Sequence, residues 1–185
     1  MIQGLYNFAK ELSKNGSIYI ISDTHFLDKD RSLMGYNISS EEQLSYLMKI
    51  CHKQDTLIHL GDIGDVSFID RLNCYKILIV GNHDVSNQFT HFNEVYKGPL
   101  TISQKIILSH EPINVTCLEQ KCMLNIHGHN HNGPIYLDDY HVNLASNVIG
   151  YRPISLKTII QSGLTKKVNT IHRITIDRAT EDMNS

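Results

Sequence analysis

Five short apolar runs, each followed at once by a polar cluster holding aspartate or histidine, constrain this chain more than any other feature. Residues 17–22 run into Asp23-Thr24-His25, and residues 56–60 into Gly61-Asp62-Ile63-Gly64-Asp65. Residues 76–80 lead to Gly81-Asn82-His83-Asp84, residues 105–109 to His110, and residues 123–126 to His127-Gly128-His129-Asn130-His131. The first run, residues 17–22, is β-branched and aromatic and too short for a helix, so it reads as a buried strand, and the other four read as further strands. Ligands of open α/β sheets bind beyond the carboxyl ends of the strands. If these strands lie side by side, all five clusters converge on one rim.

Helical signals fall between the strands. Leu5, Phe8, Ala9 and Leu12 follow a helical period over residues 4–14, ended by Asn15-Gly16. Ser39 with Glu42 forms a capping box ahead of Leu44, Leu47, Met48 and Cys51 on one face. Shorter helices are predicted over 67–73 and 155–161, and further strands over 141–145 and 170–176. At 185 residues, without repeats or a Pro/Gly-rich linker, the simplest organisation is a single α/β domain over residues 1–185. Its parts are an N-terminal helical extension (1–16) and a motif-bearing core (17–160).

Composition narrows the function. With 41% apolar and 19% charged residues the chain can build a core, and no apolar run is long enough to span a bilayer. Its start lacks the pattern of a signal peptide. Cys51, Cys74, Cys117 and Cys122 show no CxxC spacing and read as reduced and structural, which points to the cytoplasm. A net charge of −2 does not favour nucleic acid as partner.

The 11 histidines are the unusual feature. The convergent set is Asp23, His25, Asp62, Asn82, His110, His129 and His131, more donors than one tetrahedral zinc accepts. Shared by a bridging carboxylate, they suit two divalent ions. Imidazole with carboxylate fits manganese, iron, zinc or nickel. Any one motif alone has an ordinary structural reading, since Asp, Asn and Gly are turn formers. The ordered series after successive strands is what points to metal. His59 and His127 read as buried supports of the ligands, and His52, His91, His141 and His172 as structural or exposed.

The series DxH, GDxxD, GNHD, a lone histidine, then GHxH resembles that of the calcineurin-like metallophosphoesterase superfamily, over residues 17 to about 160. The stretch Gly150-Tyr151-Arg152-Pro153-Ile154-Ser155-Leu156 is similar to that of small single-domain bacterial and phage members. The resemblance implies a four-layer α/β/β/α sandwich with a dinuclear site on its loops. Asp23, His25, Asp62 and His131 would hold one metal, with Asp62 bridging to a second completed by Asn82, His110 and His129. Manganese is the first expectation. In-line attack by a hydroxide bridging the ions would open the ester, with His83 as general acid. Asp65, the second aspartate of GDxxD, would orient His83, while its rival Asp84 supports the GNHD turn.

Two departures from relatives are visible. One is the extension at 1–16, read as a cover for the sheet or, less favoured, a homodimer contact. The other is Phe26–Leu27–Asp28–Lys29–Asp30–Arg31, where relatives often carry another histidine. Arg31 and Arg152, with Asn82, are candidates for gripping the substrate phosphate. The gaps from Asp62 to Asn82, His110 and His129 leave no room for a cap domain. Val66 and Asp84 stand where phosphoprotein phosphatases carry Arg and Glu. The expected substrate is therefore a small phosphate ester, mono- or diester, of a nucleotide or similar molecule. The alternatives are a nuclease-type phosphodiesterase and a non-catalytic protein-binding scaffold.

Overall fold

A computed structural model of the chain describes residues 3–4, 16–114 and 123–168. Strand β1 is Gln3–Gly4, β2 Ile18–Ile21, β3 Thr56–His59, β4 Tyr75–Ile79 and β5 Glu94–Tyr96. They are followed by β6 Leu100–Ser103, β7 Ile106–Leu108, β8 Leu124–His127, β9 His141–Asn143 and β10 Ile154–Ser155. The helices are α1 Ser40–Ile50, α2 Ser67–Asp70 and α3 Leu156–Gln161, with 3-10 turns at Ser86–His91 and Leu164–Lys166.

The strands form two five-stranded sheets, in the orders β10-β2-β3-β4-β5 and β1-β6-β7-β8-β9. β2 to β5 run parallel, as do β7, β8 and β9. The motif-bearing strands are thus split, β2, β3 and β4 in one sheet and β7 and β8 in the other. Convergence on one rim comes from packing the two sheets together, not from a single row of strands. At that rim the sheets are stitched: Ser22 N–H donates to Leu144 O at 2.9 Å, and Ser146 N–H to Ser22 O at 2.9 Å.

Alternation along the strands sorts two cores. Ile18, Ile20, Ile58, Leu60, Ile77 and Ile79 meet Leu100, Ile106, Leu108, Leu124, Ile126 and Val142 between the sheets, and α3 adds Leu156 and Ile159. On the other face of the β2–β5 sheet, Ile21, Leu57 and Leu78 pack with Leu44 and Leu47 of α1 and with Phe68 and Ile69 of α2. Ser39 caps α1, its hydroxyl accepting Glu42 N–H at 3.1 Å. Met48, expected on the buried face, is 47% exposed.

The fold is the mixed α/β sandwich expected. A helical layer outside the second sheet is not among the described residues. Most of the predicted N-terminal helix, Cys117, Cys122, His172 and the strand over 170–176 also lie outside them. Gly4, the first residue given to that helix, instead extends β1, parallel to β6 with Gln3 opposite Leu100. No helix among the described residues is long and apolar enough to cross a membrane.

Candidate metal centre

The rim is built by loops that bond to one another before they bind anything. After β2, Asp23 N–H donates to Gly61 O at 2.9 Å, His25 N–H to Asp62 O at 3.1 Å and Phe26 N–H to Ile63 O at 2.8 Å. The DxH and GDxxD loops are thereby zipped together. Asp23, His25, Asp62 and His129 all adopt positive φ, at 53°, 42°, 58° and 65°. This backbone region is costly for residues other than glycine, and such strain concentrates at functional sites. Gly128 permits the closest approach, since a Cβ there would collide with Ser22 Oγ and Asp23 Oδ2.

Two groups of donors result: Asp23 with His25 and His131, and Asp62 with His110 and His129. In the first, Asp23 Oδ1 lies 4.0 Å from His25 Nε2 and 3.6 Å from His131 Nε2. Asp23 Oδ1 and His25 Nε2 are buried without hydrogen-bond partners. Buried polar atoms left unpaired are costly, and these two point at the same place, as ligands of a cation would. In the second group, Asn82 Oδ1 lies 2.8 Å from His110 Nε2 and 3.1 Å from His129 Nδ1. Asp62 Oδ2 stands between the groups, 3.7 Å from His25 Nε2 and 3.4 Å from His110 Nε2. The residues present therefore fit two divalent cations flanking Asp62.

Surrounding groups fix which nitrogen each ring presents. His110 Nδ1 bonds Leu60 O at 2.9 Å, His131 Nδ1 bonds Asn147 Oδ1 at 3.2 Å, and His25 Nδ1 bonds Asp28 Oδ2 at 3.2 Å. Each of these rings turns Nε2 inward. Beneath Asp23, the hydroxyls of Tyr36 and Ser146 both donate to its carbonyl oxygen. His59 accepts Gly61 N–H at Nδ1 (3.1 Å) and meets Thr24 Oγ1 at Nε2 (2.9 Å), bracing both loops. Burial drives its pKa down to about 3, so it is neutral in that role. His127 is also buried, with Nδ1 2.8 Å from Gly128 O.

The electrostatics of the metal-free rim are uneven. Burial raises the Asp23 carboxyl above its usual value, outweighing the nearby histidines. Burial also raises Asp62, but the His110 hydrogen bond and charge, His83 N–H and His25 outweigh it and bring the carboxyl down to about 2. Burial depresses His25, keeping its Nε2 lone pair free.

The remaining candidates fall in different places. His83 is exposed, its N–H donating to Asp62 Oδ1 at 2.9 Å and its ring centroid 5.8 Å from that of His25. Asp65 does not orient it: the Asp65 carboxylate accepts Ser67 N–H at 2.9 Å, at the start of α2. Asp84 is committed to the backbone, accepting the N–H groups of Gly81 (2.8 Å), Asp62 (3.0 Å) and Ile63 (3.0 Å). The carboxylate that the charge of His83 reaches is Asp28, held low first by Asp30 N–H and then by His25 and His83. Asp28 went unassigned in the sequence, although its place three residues after His25 was the available signal.

Arg31 is not free to grip substrate. It is buried, donating to Thr24 O at 2.6 Å, His25 O at 2.9 Å and Gln43 Oε1 at 2.9 Å, with its guanidinium 4.3 Å from the Tyr36 ring centroid. It is a brace for the DxH loop. Arg152 lies over the ring of Tyr46 on α1, 4.2 Å from its centroid, and donates to Gly150 O at 3.3 Å.

A sequence profile described as the calcineurin-like phosphoesterase superfamily domain matches residues 17–144. The chain belongs to that superfamily. Among curated proteins, this phosphoesterase-superfamily chain is 27% identical to the uncharacterized protein MJ1445 of Methanocaldococcus jannaschii, over 78% of its own length and 89% of the relative's. Among solved structures it is similar to the protein of unknown function AQ665 from Aquifex aeolicus. That match has a TM-score of 0.68 and 29% identity, covering 80% of this chain and 99% of the other.

Proposed function

We propose that this chain hydrolyses phosphate esters, mono- or diesters of nucleotides or similar small molecules, using two divalent cations, manganese first among them. One observation carries the reading: two donor groups meet at Asp62 Oδ2, and the buried group among them has unpartnered atoms aimed at a common point. Two cations bound there would offset the charge of the ester and lower the pKa of water for in-line attack.

The protein's own residues supply the rest. Asp23, His25 and His131 hold one ion and Asn82, His110 and His129 the other, with Asp62 shared. Asn82 turns Oδ1 inward, which leaves its Nδ2 to donate to a phosphoryl oxygen. His83 stands exposed beside His25, where an imidazole N–H can protonate the leaving oxygen. Its backbone bond to Asp62 Oδ1 fixes that placement relative to the shared carboxylate. Exposure of Asn82, His83 and His129 leaves this side of the rim accessible to a substrate from solvent. The reduced state proposed for the cysteines suits a cytoplasmic enzyme.

The test is hydrolysis of a chromogenic phosphate monoester and its matching diester by protein stripped of metal and reloaded with Mn²⁺. Turnover that requires metal and falls about 10²–10⁴-fold in His83→Ala, with metal content unchanged, supports the reading. No turnover of either ester with Mn, Fe, Ni or Zn overturns it.

A further inference from the structure

The long connection from β2 to α1 carries one side chain that reaches the whole buried donor group. Tyr36 is buried, and its hydroxyl donates to Asp23 O. Its ring centroid lies 6.1 Å from that of His25, with the planes 79° apart, and 5.8 Å from that of His131, at 57°. The two imidazoles are themselves 5.1 Å apart by centroid. One phenol therefore engages Asp23, His25 and His131 together. Among the described residues, its ring and hydrogen-bond partners do not include Asn82, His110 or His129.

The phenol is itself held from several sides. The Arg31 guanidinium sits 4.3 Å from its ring centroid. The Tyr151 ring lies 5.9 Å away, and the Tyr151 hydroxyl donates to Asn37 Oδ1 at 2.7 Å while accepting Asn37 N–H at 3.0 Å. Gly150 and Tyr151 are consecutive residues at φ 66° and 63°. That conformation is costly for an aromatic residue and persists where the surroundings enforce it. Asn147 Nδ2 donates to Met34 O at 3.0 Å and to His131 O at 2.9 Å, tying the same connection to the turn that carries His131. The Gly150-Tyr151 stretch thus bears on the metal centre through Tyr36.

A hydrogen bond at Nδ1 fixes one end of an imidazole but leaves the ring free to tilt about that bond. Asp28 and Asn147 supply those bonds for His25 and His131. A flat ring packed against both imidazoles removes the tilt, and with it the spread of directions in which each Nε2 can point. Precise ligand geometry needs this support, from packing as well as from hydrogen bonds.

We propose that Tyr36 is the positioning residue of the buried donor group, its ring aligning His25 and His131, and its hydroxyl Asp23, for the first cation. The inference rests on the two-cation reading and deepens it, since one aromatic side chain serves one ion and not the other. The ring carries most of the effect. Ser146 Oγ also donates to Asp23 O, at 2.5 Å, and keeps doing so without the phenol hydroxyl.

The test titrates Mn²⁺ into the metal-free full chain by calorimetry, for wild type, Tyr36→Phe and Tyr36→Leu. Tyr36→Leu should weaken the tighter ion about 10–100-fold and leave the weaker one unchanged. Tyr36→Phe, which keeps the ring, should restore most of that affinity. A side chain that only supported the fold would lower Tm without separating the two ions. Unchanged affinity in Tyr36→Leu, equal weakening of both ions, or a Phe variant as weak as the Leu one would each overturn the proposal. If Tyr36→Leu fails to fold, proton NMR of the metal-free wild type decides. Nuclear Overhauser contacts from the Tyr36 ring to carbon-bound protons of both imidazoles are expected, and their absence from either ring overturns the proposal. Calorimetry reads binding and not turnover, so protein that binds Mn²⁺ and cleaves neither ester fails the proposed function while this inference stands.

Discussion

The two donor groups of the rim solve the same problem in opposite ways. Asp23 and His25 are buried, and the atoms they direct inward have no partner in the protein. Asn82, His110 and His129 are knitted to one another, and Asn82 and His129 are exposed. A buried group with unsatisfied lone pairs is tense until a cation arrives. An open group that satisfies itself can lose its ion at little cost. The contrast predicts a tightly held ion at the first site and an exchangeable one at the second.

Asp62 belongs to both groups, so its loss should erase the distinction. Asp62→Asn is expected to abolish turnover by more than the ~10²–10³-fold that removing a single polar donor costs. Metal analysis of the same protein should give less than one ion per chain; two retained ions would remove Asp62 from the bridging role. A pair of variants sharpens the contrast next. His25→Ala should lose the tightly held ion, whereas His129→Ala should keep it and lose only the exchangeable one after gel filtration. Equal losses would mean that burial does not rank the sites.

The outer shell gives a smaller effect. Asp28 fixes His25 through Nδ1, and such supports typically cost about 10–100-fold in metal affinity when removed. Asp28→Asn should therefore weaken the first ion by that amount, with Asp28→Glu restoring part of it. Titration with Mn²⁺ followed by calorimetry reads this directly. An unchanged affinity would make Asp28 a turn residue only.

Asp28 also marks how far the sequence could be read. The donors were legible because each follows an apolar strand, and a strand fixes where its next residue emerges. The buried strands were legible too, because short continuous apolar runs such as 76–80 suit strands covered on both faces. What escaped was whatever depends on side-chain reach across loops. Arg31 looked like a free cation beside the site, but its guanidinium turns back onto Thr24 O, His25 O and Gln43. Asp65 matched a motif position, yet the nearest backbone donor, Ser67, claims it. β5 and β10 escaped because runs of three and two residues carry no period at all.

The smallest effect, in stability of the metal-free protein, tests the contrast most sharply because its sign differs between two aspartates. Asp62 has a carboxyl lowered from 3.8 to about 2. Its ionised form stabilises the fold above the unfolded value, by about 2 kcal/mol, and that contribution is lost as pH falls through about 2. Asp23 is raised instead, so its contribution is present below the unfolded value and is lost as pH rises through the folded one. At neutral pH without metal, Asp62→Asn should thus lower Tm. Asp23→Asn, which removes a buried charge while keeping an acceptor for His129 N–H, should raise Tm by about 2–4 °C, the equivalent of roughly 1 kcal/mol. Adding Mn²⁺ reverses the order, because the wild type gains about 2.7 kcal/mol at a hundredfold excess over its dissociation constant, a gain that Asp23→Asn forgoes. Thermal melts of both variants with and without Mn²⁺ check this. If Asp23→Asn melts lower than wild type without metal, its carboxylate holds the His129 turn rather than waiting for a cation, and the two groups are alike after all.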